Sequence, residues 1–286
     1  MIAKRGMRPS LTTIFDKFFL GEAHAVFKPP SQSLRDLLLP LLQLVSESDV
    51  LRADSLGYWR SGGDPFFLPR FVFQRTQNAK PRINVGIFAG LHGDEPGGML
   101  GLIQLIRALD AHPPVGREYQ LWLYPVCNPS GYADGTRRSR SGRDLNREFW
   151  KNSPEPEVQL LERELRLRRF NGIISLHCDD VSDGMRGFVN GLSMSQYLLK
   201  PALAAAERVL PSNAASRING FHAFNGIIAS REDGALQAPP EQRAAPCEIV
   251  LQAPQRAPLQ VQAHAFLFAF HEILASYRRI SFAEEA

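Results

Sequence analysis

The sequence predicts an α/β fold built on an open sheet, and three observations carry that prediction. Residues 83–91 (INVGIFAGL) form a nearly continuous apolar run, the pattern of a strand buried on both faces of a parallel sheet. A segment with apolar residues at helical spacing follows at once, with Leu100, Leu102, Ile103, Leu105, Ile106 and Leu109 on it. Strand-like and helical stretches then alternate to the end of the chain, as they do when helices cross over between sheet strands.

Taken in order, residues 33–46 carry leucines at helical spacing, interrupted by Pro40, and predict a kinked or broken helix that covers the core. Short strands are expected at 57–60 and 66–74, then the buried strand 83–91, then a helix over 95–109 with Pro96 in its first turn. A strand over 120–126 leads into a loop of Asn, Pro, Gly, Ser and Arg over 128–142. A helix over 155–169, a strand over 172–176, a helix over 194–209, a strand over 248–251 and a helix over 259–278 complete the pattern. The proline-rich stretch 237–246 reads as a surface loop, because a strand and a helix must still follow it. Residues 1–286 read as one domain, with an amino-terminal helix and strands (1–80) packed on a motif-bearing core (81–280).

Composition narrows the function. The 286 residues are 44% hydrophobic and 22% charged, which suits a globular α/β domain. A net charge of +4 from 33 basic and 29 acidic residues supplies no basic tract of the kind that grips nucleic acid, so no nucleic-acid partner is expected. Cys127, Cys178 and Cys247 are too few and too scattered for a disulfide framework, and a reducing compartment fits them. The amino terminus breaks its apolar run with Asp16, Lys17 and Glu22, and no stretch approaches the roughly 20 apolar residues of a membrane span. A cytoplasmic location without membrane association is expected.

The chemistry concentrates at the ends of two predicted strands. His92 and Glu95, in LHGDEPGG, are one helical turn apart where the buried strand turns into a helix, so imidazole and carboxylate can converge on one ion. His177, in ISLHCDD, follows another apolar strand and offers a third donor. Two His and one Glu with an open fourth position is the composition of a catalytic zinc site that binds and activates water. One Zn2+ per chain is therefore expected. A second metal on Asp179, Asp180 or Asp183 is an alternative to a plain solvated loop there.

Between these donors lies RRSRSGRDLNREF, over 137–149. With it the chain resembles the zinc carboxypeptidase superfamily, which includes murein peptide amidases and the aspartoacylase/succinylglutamate desuccinylase branch. The matching motifs are His-x-x-Glu at 92–95, Asn-Pro-x-Gly at 128–131, Asp-Leu-Asn-Arg at 144–147, Ser-x-Pro-Glu at 153–157 (SPEPE) and the strand-borne His177, together covering roughly residues 83 to 180. The resemblance implies a three-layer α/β/α fold with a mixed, mostly parallel central sheet. It implies that Asn146 and Arg147 hold a substrate carboxylate, for which a guanidinium is matched by two parallel hydrogen bonds. It makes Arg137 the group that polarises the scissile carbonyl, with Arg138 and Arg140 as alternatives, and Asp144 the acceptor for the far ring nitrogen of His92. The implied substrate is a small peptide or acylated amino acid with a free carboxylate.

The resemblance also implies a general-base Glu on a late strand, and there the sequence departs from it. In CEIVLQAP, anchored on Pro254, the position falls on Gln252, whose amide cannot take a proton at neutral pH. Glu248 lies on the same face of that strand, about 13 Å away at about 3.3 Å per residue. It serves only if the register shifts, and Asp179 or Asp180 is a further candidate. No Tyr stands in NGFHAFNGIIAS (219–230) for the late tyrosine that the resemblance implies near the substrate; His222 there is either an extra contact or a surface residue. Three outcomes are open: a zinc hydrolase of a C-terminal peptide or related amide bond, an N-acyl amino acid deacylase, and a zinc-binding protein that recognises such ends without cutting them.

Overall fold

The computed structural model describes residues 33–74, 83–218, 220–228 and 236–283. Expectations that fall on 1–32 and 75–82, including the charged interruptions of the amino terminus, lie outside the described residues. Among the described residues, ten strands form one mixed sheet in the order β1-β2-β4-β3-β5-β10-β6-β9-β8-β7. The strands are β1 (Leu51–Ser61), β2 (Asp64–Gln74), β3 (Ile83–Ala89), β4 (Tyr119–Tyr124), β5 (Gly172–Asp179), β6 (Arg186–Val189), β7 (Arg217–Ile218), β8 (Phe221–Phe224), β9 (Ile227–Ile228) and β10 (Cys247–Pro254). The central block β4-β3-β5-β10 is parallel, while antiparallel pairings predominate on its flanks. Side chains alternate between the two faces, as the two-residue period of a strand requires.

The helices are α1 (Leu34–Glu47), α2 (Pro96–Ala111), α3 (Pro129–Asp134), α4 (Pro156–Arg168), α5 (Leu192–Met194), α6 (Lys200–Ala206) and α7 (Leu259–Ala283), with a π turn over Ser195–Leu199 between α5 and α6. On one face Ile87, Leu123, Ile174 and Ile249 pack with residues of α1, α2, α6 and α7. On the other, Phe88, Tyr124 and Ile173 pack with Val158, Leu161 and Leu165 of α4. Helices thus cover both faces, which makes three layers.

Several elements differ from the sequence-based expectation. Helix α1 runs unbroken through Pro40, because Pro40 faces solvent and water can meet the carbonyl that the missing N–H leaves unbonded. The expected short strand at 57–60 is the end of a long hairpin, β1–β2, which turns on Gly62 and Gly63, both at positive φ (59° and 89°). The segment 128–142 begins as helix α3, capped by Asn128, whose side chain accepts from the Gly131 N–H, and closed by left-handed Gly135. Strand β5 extends to Asp179, so His177 lies within it rather than after it. The expected helix over 194–209 is divided among α5, the π turn and α6.

Candidate metal centre

The three predicted donors meet at the carboxyl end of the parallel block, where open α/β sheets place ligands. Strand β3 ends at Ala89 and Gly90 turns at positive φ (64°), which delivers His92 and then Glu95, the residue before α2. From the neighbouring strand β5, His177 points to the same place. All three are buried.

Their atoms face one another. His92 Nδ1 lies 2.6 Å from Glu95 Oε1, His177 Nδ1 lies 3.2 Å from Glu95 Oε2, and the two Nδ1 atoms are 3.3 Å apart. Ligands about 2.0–2.1 Å from a tetrahedral ion lie about 3.3 Å from each other, so the imidazole pair already has the separation that a zinc site needs. No other group of three potential donors converges in this way among the described residues. The donor set, two nitrogens and a carboxylate, fits zinc.

The surrounding side chains hold these donors in place. Asp144 Oδ1 sits 3.2 Å from His92 Nε2, and the same oxygen accepts the Asn146 N–H at 3.1 Å. A proton on Nε2 directed at Asp144 leaves the Nδ1 lone pair facing the centre. The Cys178 N–H donates to Glu95 Oε2 at 2.9 Å, while His177 Nε2 is buried without a hydrogen-bond partner among the described residues. Burial on its own would raise the Glu95 carboxyl, but the hydrogen bonds and charge of His177 and His92 outweigh it and bring the group down to about 2. Burial opposes charging of His92, yet the bonds to Asp144 and Glu95 win and raise it. Asp144, with His92 and Arg137 beside it, falls well below the usual carboxylate range despite partial burial.

Arg137 spans the rim of the centre. It is half-exposed, with Nη1 3.4 Å from Glu95 Oε1 and Nε 3.3 Å from Asp144 Oδ2. The two alternatives for its role are otherwise engaged: Arg140 is clamped between Asp134 and Asp64, and Arg138 donates to the Gly142 carbonyl. Asn146 and Arg147 lie on a short 3-10 turn, Leu145–Arg147, that Asp144 caps. The Asn146 carbonyl oxygen accepts the Leu236 N–H at 3.0 Å, which leaves its NH2 group as the part free to turn outward. Arg147 is exposed.

The candidates for the base separate clearly. Gln252 of β10 stands directly opposite His177 of β5, in unbroken parallel register. Glu248 stands opposite Ile173, four positions down the strand, and its carboxylate accepts from the Ala238 N–H (2.7 Å) and Asn190 (3.3 Å). Asp179 Oδ1 accepts the Val181 and Ser182 N–H groups and holds the turn after β5, while Asp180 and Asp183 are exposed outside the group of donors. His222 is exposed on β8, three strands from β10, beside Arg217. Sequence reasoning did not single out Arg186 of β6. It is buried opposite Gln252 and paired with Asp179 at 3.2 Å, and a lone Arg on a four-residue strand gives no sequence signal for that.

Residues 81–183 match the model of the succinylglutamate desuccinylase/aspartoacylase catalytic domain. No curated protein matches the chain. Among solved structures, a metallopeptidase candidate from Shewanella denitrificans superposes with a TM-score of 0.70 at 20% identity, covering 88% of this chain and 98% of its own. The carboxypeptidase A of Helicoverpa armigera gives 0.66 at 16% identity, covering 89% and 75%. A metallo-carboxypeptidase from Pseudomonas aeruginosa, solved with (2-guanidinoethylmercapto)succinic acid, gives 0.60 at 13% identity, covering 87% and 70%. The catalytic-domain match spans both sources of the converging donors, and the solved structures share the fold of this chain.

Proposed function

We propose that the protein is a zinc-dependent hydrolase, one zinc per chain, that cuts a C-terminal peptide bond or a related amide in a small substrate bearing a free carboxylate. The observation that carries this reading is the convergence of two Nδ1 atoms and a buried carboxylate, with Asp144 fixing the ring of His92. When bound there, zinc supplies Lewis-acid polarisation and an activated water. His92, Glu95 and His177 hold it. Arg137, half-exposed at the rim, donates to the oxygen that becomes negative as the carbonyl is attacked. Asn146, turned by Leu236, and Arg147 bind the substrate carboxylate and so orient the amide.

Two further readings each rest on one observation. The match to the desuccinylase/aspartoacylase model supports an N-acyl amino acid as the substrate. Gln252, opposite His177, supports a protein that binds such compounds without turning them over, since an amide does not accept a proton at neutral pH. Metal content is to be measured on the purified protein and on His177→Ala, with a panel of C-terminal peptides, murein-type peptides and N-acyl amino acids. One zinc per chain, lost in the variant, with cleavage of a panel member, is the expected result. Zinc without cleavage favours the binding protein, and absence of zinc from the wild type overturns all three readings.

A further inference from the structure

The proposed chemistry leaves a buried positive charge beside the centre unused. His177, Gln252 and Arg186 are register partners on β5, β10 and β6, so their side chains share one face of the sheet in a single row. Arg186 is among the largest fully buried side chains of the protein, 2% exposed, and it reaches Asp179, two residues beyond His177 on the same face of β5. To do so the side chain leaves the row of Gln252 and crosses β10 toward Pro254, the register partner of Asp179 and the next residue on that face. Its Nε lies 3.2 Å from Asp179 Oδ2, yet Nε and Nη1 make no hydrogen bond among the described residues, and neither does that Asp179 oxygen. A buried guanidinium with unsatisfied N–H groups favours an anionic acceptor.

We propose that Arg186 and Gln252 form a carboxylate-binding position beside the metal ligands, separate from Asn146 and Arg147, that receives the acid released from the acyl side of the amide. This rests on the reading of His92, Glu95 and His177 as a metal centre. Hydrolysis adds water across the C–N bond and yields an amine and a carboxylic acid, whose carboxylate arises on the acyl carbon next to the metal. A glutamate at 252 would neutralise Arg186 and repel that carboxylate. The neutral amide adds no second carboxylate to the one that Asp179 already supplies, leaves the unbonded guanidinium N–H groups open, and adds two N–H donors of its own. Gln252 is partly exposed, so it is the member of the row that a small acid meets first.

Removing Arg186 would strand Asp179, so Gln252→Glu carries the test. Acetate is the probe, titrated into the full-length protein as purified and after chelation, and followed by NMR or calorimetry, with the melting temperature recorded for every variant. Wild type is expected to bind acetate in both states. Gln252→Glu should bind it at least about tenfold more weakly and melt at a higher temperature, because the new carboxylate pairs with Arg186. The same tenfold loss should appear when Gln252→Glu is compared with wild-type Gln252 in an Arg147→Met background, where the Asn146/Arg147 position no longer competes for acetate. Acetate affinity in Gln252→Glu within twofold of wild type, an unchanged melting temperature, or no acetate binding by chelated wild type overturns the proposal. Zinc stoichiometry in the same samples reports on the metal centre alone, so failure there is distinguishable from failure here.

Discussion

Glu157 is a buried acid that its neighbours leave largely without charge compensation. It is 1% exposed on the first turn of α4, and the Ser130 hydroxyl donates to it at 3.0 Å. Burial pushes its carboxyl up to about 7, and the nearby charge of Glu155 adds to the effect. Because the folded value exceeds the unfolded one, folding takes up a proton between them. Its stabilisation is complete below about pH 4.5 and is lost as pH rises towards 7, by roughly 3 kcal/mol. Glu157→Gln keeps an acceptor for Ser130 and removes the ionisation. Its melting temperature at pH 8 should exceed wild type by several degrees, with the two profiles converging near pH 5; parallel profiles would show that Glu157 does not titrate in this range. Individual residues of the centre differ in how far the sequence reveals them. His92, Glu95, His177 and Asp144 are legible, because donors at a strand end and a carboxylate in the same motif set have a chemical reason to be neighbours. Arg186 is not legible, since its meaning lies in strand partners 66 positions away along the chain.

The loops that carry the donors are built by backbone contact rather than by side-chain packing. A Cβ added at Gly93 would lie 2.0 Å from the Gly131 carbonyl carbon and 2.2 Å from the Tyr132 nitrogen, both main-chain atoms of α3 that cannot swing aside. Gly93→Ala should therefore displace the His92–Glu95 segment. A marked fall in melting temperature together with loss of zinc is expected. Gly142 is the control: its φ of 87° strains any other residue, yet nothing lies within 4 Å of an added Cβ, so Gly142→Ala should melt only slightly earlier and keep its zinc. Full zinc occupancy in Gly93→Ala would refute the contact. This use of α3 also explains why the element was missed. Six residues beginning at Pro129 give too short a period to register as a helix, and Asn, Pro, Ser and Gly read as loop until the Asn128 cap is seen. Strands β6 to β9, of two to four residues, likewise fall below what alternation can detect, whereas the seven-residue apolar run of β3 does not.

At the scale of the whole molecule, two devices tie distant parts of the chain together. Arg70 of β2 bridges Asp54 of β1 and Glu164 of α4, with the Tyr124 hydroxyl also donating to Glu164, which fastens the amino-terminal hairpin to the helix layer. The donor triad is the second: His92 and Glu95 follow β3, His177 belongs to β5, and α2 begins where Glu95 ends. The unfolded chain holds His177 at least 82 residues from His92 and Glu95, so an ion that all three share binds the folded state far better than the unfolded one. Adding zinc should raise the melting temperature in proportion to the logarithm of its concentration above the dissociation constant, by about 2.7 kcal/mol of stability at a hundredfold excess. Chelation should reverse the gain, and His177→Ala should show neither change. A wild-type melting temperature indifferent to both zinc and chelator would mean that the three donors hold one another by hydrogen bonds alone. Their convergence would then be a feature of the core rather than a metal site.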